Sequence, residues 1–185
     1  GPEKINHYAA LLKSLPPLLW GTRITLLCAV SLHGLAAFLL WRRNLAARPV
    51  GYVSQDFQAA GVTSRTMYWT GPVIGLFVIY HLLHFTGGVA HAEFFGGVDA
   101  QGRHDVWTMV VRSFQQPLIA FAYVAANVAL AIHLSHSVTS MFSTLGLNVG
   151  RYKPVIDRVG PAVATLVLVG NLSFPIAVLA GLVHL

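Results

Sequence analysis

Gln115–Phe142 reads QQPLIAFAYVAANVALAIHLSHSVTSMF, and this stretch decides the fold class. Its 28 residues include no Asp, Glu, Lys or Arg. About 20 predominantly apolar residues, rising 1.5 Å each, cross a ~30 Å hydrocarbon core. A soluble domain would show polar helix faces or strand alternation, and this stretch shows neither. It reads as a membrane-spanning helix. Three further runs share its character: Leu15–Trp41, Met67–His91 and Gly160–Leu185. Pro16 and Pro17 suit the first turn of the earliest run, and Arg42 and Arg43 end it. Of the prolines near the spans, Pro175 lies deepest and is the expected site of a kink, which neighbouring helices tolerate in a membrane.

Working outward, the whole composition agrees. Of 185 residues, 55% are hydrophobic and 10% charged, against about 25% charged in a soluble domain. The expected fold is an all-α transmembrane bundle of four spans, forming a single domain over residues 1–185. Neither an internal repeat nor a secretory leader is evident. The net charge of +6 sits in the short connections, which favours a membrane topology signal over nucleic-acid binding. Arg42, Arg43, Arg48, Arg65, Arg151, Lys153 and Arg158 lie on one side. Lys4, Lys13, Arg103 and Arg112 lie on the other, beside Glu3, Glu93, Asp99 and Asp105. The first side is expected to be cytoplasmic.

Nine histidines are many for so apolar a chain. His7 and His104 read as loop residues, and His91 and His184 as residues at or near outer helix ends. Interfacial or solvent placement accounts for those four. His33, His81, His84, His133 and His136 lie deep, where an ionisable side chain is costly and marks function by default. The alternative for each is a neutral imidazole hydrogen-bonded between helices. Depth favours function. His33 lies about 12 Å and His133 about 13 Å from the inner ends of their runs, by rise per residue. Two imidazoles at one level on separate helices suit the two axial positions of one haem iron. His81 lies about 21 Å up and would serve a second haem nearer the outside. His84 and His136 follow a deep histidine by three residues, so each shares a helix face with it. They are alternative ligands or contacts to haem propionates. Small residues flank the deep histidines: Gly34, Ala36 and Ala37; Gly71 and Gly75; Ala125, Ala126 and Ala129. Low side chains admit a flat macrocycle, and they equally pack bare helices together.

At these residues the chain resembles a known family. Ser31-Leu32-His33-Gly34, Ile79-Tyr80-His81-Leu82-Leu83-His84-Phe85 after Thr70-Gly71, and Ile132-His133-Leu134-Ser135-His136 leading to Ser140–Gly146 look like its ligand-bearing helices. Ser64-Arg65-Thr66-Met67 and Gly150-Arg151-Tyr152-Lys153-Pro154 fit as well. The family is the one-subunit, dihaem cytochrome b membrane anchor of succinate:quinone oxidoreductase and fumarate reductase. The resemblance covers essentially the whole chain. It implies two haems b and a membrane quinone, expected to be menaquinone. It implies flavoprotein and iron-sulfur partner subunits on the cytoplasmic face and residence in the cell's inner (cytoplasmic) membrane. Carried over, His33 and His133 hold the inner haem and His81 is one ligand of the outer haem. The family has five spans, and its first carries the other outer ligand. Gly1–Lys13 resembles the loop after that span, so that ligand is expected from polypeptide outside residues 1–185.

Arg23, about eight residues inside the first run, is a candidate contact for haem propionates or a quinone carbonyl. Snorkelling to the interface is its alternative. Trp20, Trp41, Tyr68 and Trp69 read as an aromatic belt. Glu93 and Asp105 are candidates for the protons of quinol chemistry, or are simply solvated. Dicarboxylate chemistry is expected on the partners, because the single cysteine, Cys28, cannot ligate an iron-sulfur cluster. Nothing resembles a phosphate loop, a nucleophile triad or a zinc site. The competing readings are a cytochrome b serving formate dehydrogenase or a hydrogenase, and a haem-free transporter or scaffold.

Overall fold

The computed structural model describes residues 1–47, 50 and 61–185; Arg48 lies outside them. The helices are α1 (Pro2–Lys13), α2 (Pro16–Ala47), α3 (Val62–Arg65), α4 (Met67–His81), α5 (Ala92–Phe95), α6 (Val106–Gln115), α7 (Pro117–Thr144) and α8 (Lys153–Leu179). A π turn, Leu82–Thr86, extends α4, and a 3-10 turn, Gly150–Tyr152, leads into α8. Among the described residues there is no strand, only an isolated bridge between Val98 and His104. Four helices are long and apolar enough to span a bilayer: Pro16–Ala47, Met67–Thr86, Pro117–Thr144 and Gly150–Leu179. The protein is an all-α, multi-pass transmembrane bundle. For reference, the basic end is termed inner and the opposite end outer.

The helix ends differ from the sequence expectation in an instructive way. α2 runs on past Arg42 and Arg43 to Ala47, and α8 starts at Lys153, before Gly160. Charge marks where the hydrocarbon ends, not where backbone hydrogen bonding ends, so both helices continue into the interface. Pro161 and Pro175 both lie inside α8. The second span stops at Thr86 instead of His91, where Gly87 and Gly88 turn the chain. α7 and α8 close on glycines. Gly146 (φ 72°) and Gly181 (φ 73°) take the left-handed conformation that side chains disfavour. Leu147 N–H then donates to Phe142 C=O at 3.0 Å, and Leu182 N–H to Ala177 C=O at 2.9 Å, satisfying carbonyls the helix leaves open. That turn ends the fourth span at Leu179, short of Leu185.

α7 packs most extensively on α8 and next on α4. Small residues let the α7 and α8 backbones approach. Ala126 and Ala131 on α7 and Gly160 and Ala164 on α8 are buried. A Cβ on Gly160 would collide with the Ser135 carbonyl oxygen and Thr139 Oγ1. Across the same pair, Asn171 Nδ2 donates to Asn127 Oδ1 at 2.8 Å. α2 contrasts with this: it has no buried residue, and its main backbone neighbour is α1.

The outer connections are helical where loops were expected, and His7 lies on α1. A polar clasp ties α1 to the segment before α6. Arg103 donates from Nη1 and Nη2 to the two Glu3 carboxylate oxygens at 2.9 and 2.8 Å, and from Nε to Asp99 Oδ2 at 2.7 Å. Asn6, only 2% exposed, donates to Asp99 Oδ2 and Asp105 Oδ1 at 3.3 and 3.0 Å, and accepts from the Trp107 amide. Asp105 also accepts from the Thr108 amide at 3.1 Å, capping α6. Hydrogen bonding from Arg103 holds the Glu3 carboxyl below its ordinary pKa. Burial pushes Asp99 up, but donors from Arg103 and Gln101 outweigh it and leave the group below its ordinary value. Asp105 is likewise lowered: burial pushes it up, and donors from Thr108 and Asn6 overcome that.

Candidate functional site

The deep histidines fall at two levels of the bundle. At the inner level, α2 and α7 bring His33 and His133 together, with ring centroids 6.1 Å apart and planes at 76°. Both helices run a few residues past their expected inner ends, and the rings still meet because the two shifts have the same sign. His133 Nδ1 lies 3.1 Å from Thr70 Oγ1 on α4. The Thr70 hydroxyl donates its one hydrogen to the Thr66 carbonyl at 3.2 Å. Towards His133 that oxygen therefore accepts, so Nδ1 carries the proton and Nε2 keeps a free lone pair. A hydrogen-bonded Nδ1–H is the usual support for an imidazole that binds metal through Nε2.

The spacing of this pair meets one distance requirement of two imidazoles on a shared metal. Metal–imidazole bonds of about 2 Å, plus roughly 1 Å from each nitrogen to its ring centre, separate opposed ligand centroids by about 6 Å. Among the described residues, no three His, Cys, Asp or Glu side chains gather as a metal cage. Two imidazoles are therefore the donor set on offer. That number suits an iron whose other four positions are filled by a macrocycle. Open space lies above the Cα atoms of Gly34, Gly71 and Gly75.

At the outer level, α4, its π turn, α6 and α7 converge. Along α4, His81 lies eleven residues beyond Thr70, and along the antiparallel α7, Tyr123 lies ten residues before His133. Both helices thus separate the levels by about 15 Å. Tyr123 Oη lies 3.4 Å from His81 Nδ1 and 3.1 Å from His84 Nδ1. His84 Nε2 lies 3.0 Å from Ser113 Oγ on α6. The π turn that carries His84 widens the angular step from His81. His84 ends up 1% exposed with both nitrogens engaged, while His81 remains exposed. His81 otherwise meets the rings of Phe77, Phe85 and Tyr123. Among the described residues no imidazole faces His81 as His33 faces His133.

The remaining candidates stand apart from these two groups. His136 Nε2 lies 3.2 Å from Ser140 Oγ, one turn further along α7. The Arg23 guanidinium sits over the Trp20 ring, 5.2 Å from its centroid. His91 adopts φ 57° after the π turn, with Nε2 3.1 Å from Tyr80 Oη and Nδ1 3.7 Å from Glu93. Thr70, Tyr123 and Ser113 were not singled out from the sequence for their hydroxyls. Tyr123 did carry a signal, a polar tip inside an apolar span, since a buried Tyr O–H takes a partner. Thr70 and Ser113 carry no such mark, because their partners lie on other helices. No family model, curated protein or solved structure matches the chain.

Proposed function

We propose that this protein is a dihaem cytochrome b membrane anchor of the succinate:quinone oxidoreductase and fumarate reductase kind. The observation that carries the reading is the His33–His133 pair, 6.1 Å apart between α2 and α7, with the Thr70 hydroxyl anchoring His133. In this reading His33 and His133 would hold the inner haem b, and His81 would be one of the residues that hold the outer. No second imidazole faces His81 among the described residues, and the family resemblance assigns the other ligand of the outer haem to a further helix. Bound there, each haem supplies a one-electron centre inside the membrane.

The chain's own contribution is orientation and exclusion of water. Thr70 holds the His133 ring in the tautomer whose Nε2 is a donor to metal. The apolar side chains of α2, α4 and α7 set the inner level in the hydrocarbon of the bilayer, away from water. The basic end faces the cytoplasm and receives the iron-sulfur and flavoprotein subunits, on which the dicarboxylate is oxidised or formed. Electrons pass between that end and a membrane quinone, menaquinone by the family resemblance, in the cell's inner (cytoplasmic) membrane.

The test is a dithionite-reduced visible spectrum with a pyridine haemochrome count on the purified complex. Two haems b per chain, with flavoprotein and iron-sulfur subunits co-purifying, is the expected result. A complex without a Soret band overturns the haem reading. Two haems beside a formate dehydrogenase or hydrogenase subunit overturn the assignment of partner.

A further inference from the structure

The outer level contains a chain of hydrogen bonds whose direction is determined at one end. Ser113 Oγ lies 2.7 Å from the Met109 carbonyl, within the same helix. A carbonyl only accepts, so the serine's single hydrogen goes there. Ser113 Oγ can then only accept from His84 Nε2 at 3.0 Å, so His84 Nε2 carries a proton. His84 is 1% exposed, and among the described residues no carboxylate lies within ion-pairing distance of it. A charged imidazolium there is costly, so the ring is neutral and its Nδ1 has a lone pair. Tyr123 O–H must donate to that lone pair at 3.1 Å. The tyrosine proton is then committed. The remaining contact, His81 Nδ1 at 3.4 Å, is satisfied only if His81 donates.

From this geometry we infer that Tyr123, His84 and Ser113 are positioning residues: a one-way relay, His81 to Tyr123 to His84 to Ser113 to the Met109 carbonyl, that locks His81 in its Nδ1–H tautomer. The lock leaves His81 Nε2 as a free lone pair aimed away from the relay's polar partners. A metal bound at Nε2 would meet a more basic donor, since a donated Nδ1–H bond shifts electron density toward Nε2. The relay spans α4 and its π turn, α7 and α6, so it ties the ligand's electronic state to the packing of three elements. The inference deepens the haem reading and, for its effect on iron, rests on it.

The experiment compares the wild-type complex with Tyr123→Phe and Ser113→Ala by spectropotentiometric titration of both haems. Tyr123→Phe keeps two haems and shifts the outer midpoint potential upward, because a less basic ligand favours ferric iron less. The inner potential stays at its wild-type value. Ser113→Ala shifts the outer potential in the same direction by less. If Tyr123→Phe does not assemble, the Ser113→Ala titration decides. Two haems with an unchanged outer potential in the assembled variants overturn the relay. So does a shift of both haems alike, which marks a general packing defect. Nitrogen-15 NMR of histidine-labelled wild-type protein separates this inference from the haem reading. Should the protein bind no haem at His81, an Nδ1–H signal for that residue, lost in Tyr123→Phe, still supports the lock. An Nε2–H signal overturns it.

Discussion

The inner and outer histidine levels use one device built at two scales. At the inner level, a single hydroxyl anchors the imidazole: Thr70 accepts the His133 N–H and back-bonds to its own helix. Only α4 and α7 are involved. At the outer level, the hydroxyl of Tyr123 has no helix carbonyl to back-bond to, and it reaches one through His84 and Ser113. The outer level therefore depends on α6, and α6 depends on the clasp that joins its N-terminal segment to α1. Orienting an imidazole takes one residue where the acceptor is local and a train of buried polar groups where it is not. Such networks work only if every member is satisfied.

The comparison breaks most directly at the proposed ligands. His33→Ala or His133→Ala should remove one low-spin haem and leave the other, as counted by pyridine haemochrome. If both variants keep the full complement, the inner pair is not a ligand pair. Gly160→Ala comes next, because it strikes α7 beside the inner level, where its Cβ meets the Ser135 carbonyl. Overpacking of this sort costs about 1–3 kcal/mol. Thermal unfolding followed in the Soret band should show an earlier loss at the inner haem than at the outer.

Thr70→Val sharpens the contrast at nearly constant volume. Losing the partner of a metal-binding histidine lowers affinity or activity about 10–100-fold. The loss should be confined to the inner haem and be visible in haem retention on dilution. An equal effect on the outer haem would mean the levels are not independent. The smallest effect concerns pH and the outer clasp. The carboxyls of Glu3, Asp99 and Asp105 titrate below their ordinary values in the folded protein. Groups lowered by folding stabilise fully above their unfolded pKa, about 4, and lose that contribution as the pH falls through the lower folded values. Amide exchange in α1 should therefore be slow at neutral pH and rise only below about pH 4. The rise should be modest, since Glu3 is mostly exposed and its ion pair with Arg103 is screened. Rapid exchange already at pH 7 would show that the clasp does not hold α1.

Much of the architecture was legible because the bilayer imposes a rule on composition. A stretch such as Gln115–Phe142 has no charges and more than enough length, so it must be a helix that satisfies its own backbone. Helix ends were less legible. Arg42, Arg43 and Lys153 mark the edge of the hydrocarbon, and the helices run through them. The outer helices α1 and α6 were missed because their short amphipathic patterns are ordinary in a loop-length segment. At the site, His33, His81 and His133 stood out because an imidazole is expensive in an apolar span.

Sequence by itself determined the four spans, their apolar character and the deep histidines, because membrane burial penalises each charged or polar residue one position at a time. Tertiary structure alone decided which histidine meets which group. Thr70 and His133 are 63 positions apart, Ser113 and His84 are 29, and no local pattern links them. The antiparallel register of α4 against α7, and the π turn that swings His84 inward, set those pairings. A hydrogen bond needs two particular atoms within about 3 Å in the right direction. Only the packed bundle brings them there.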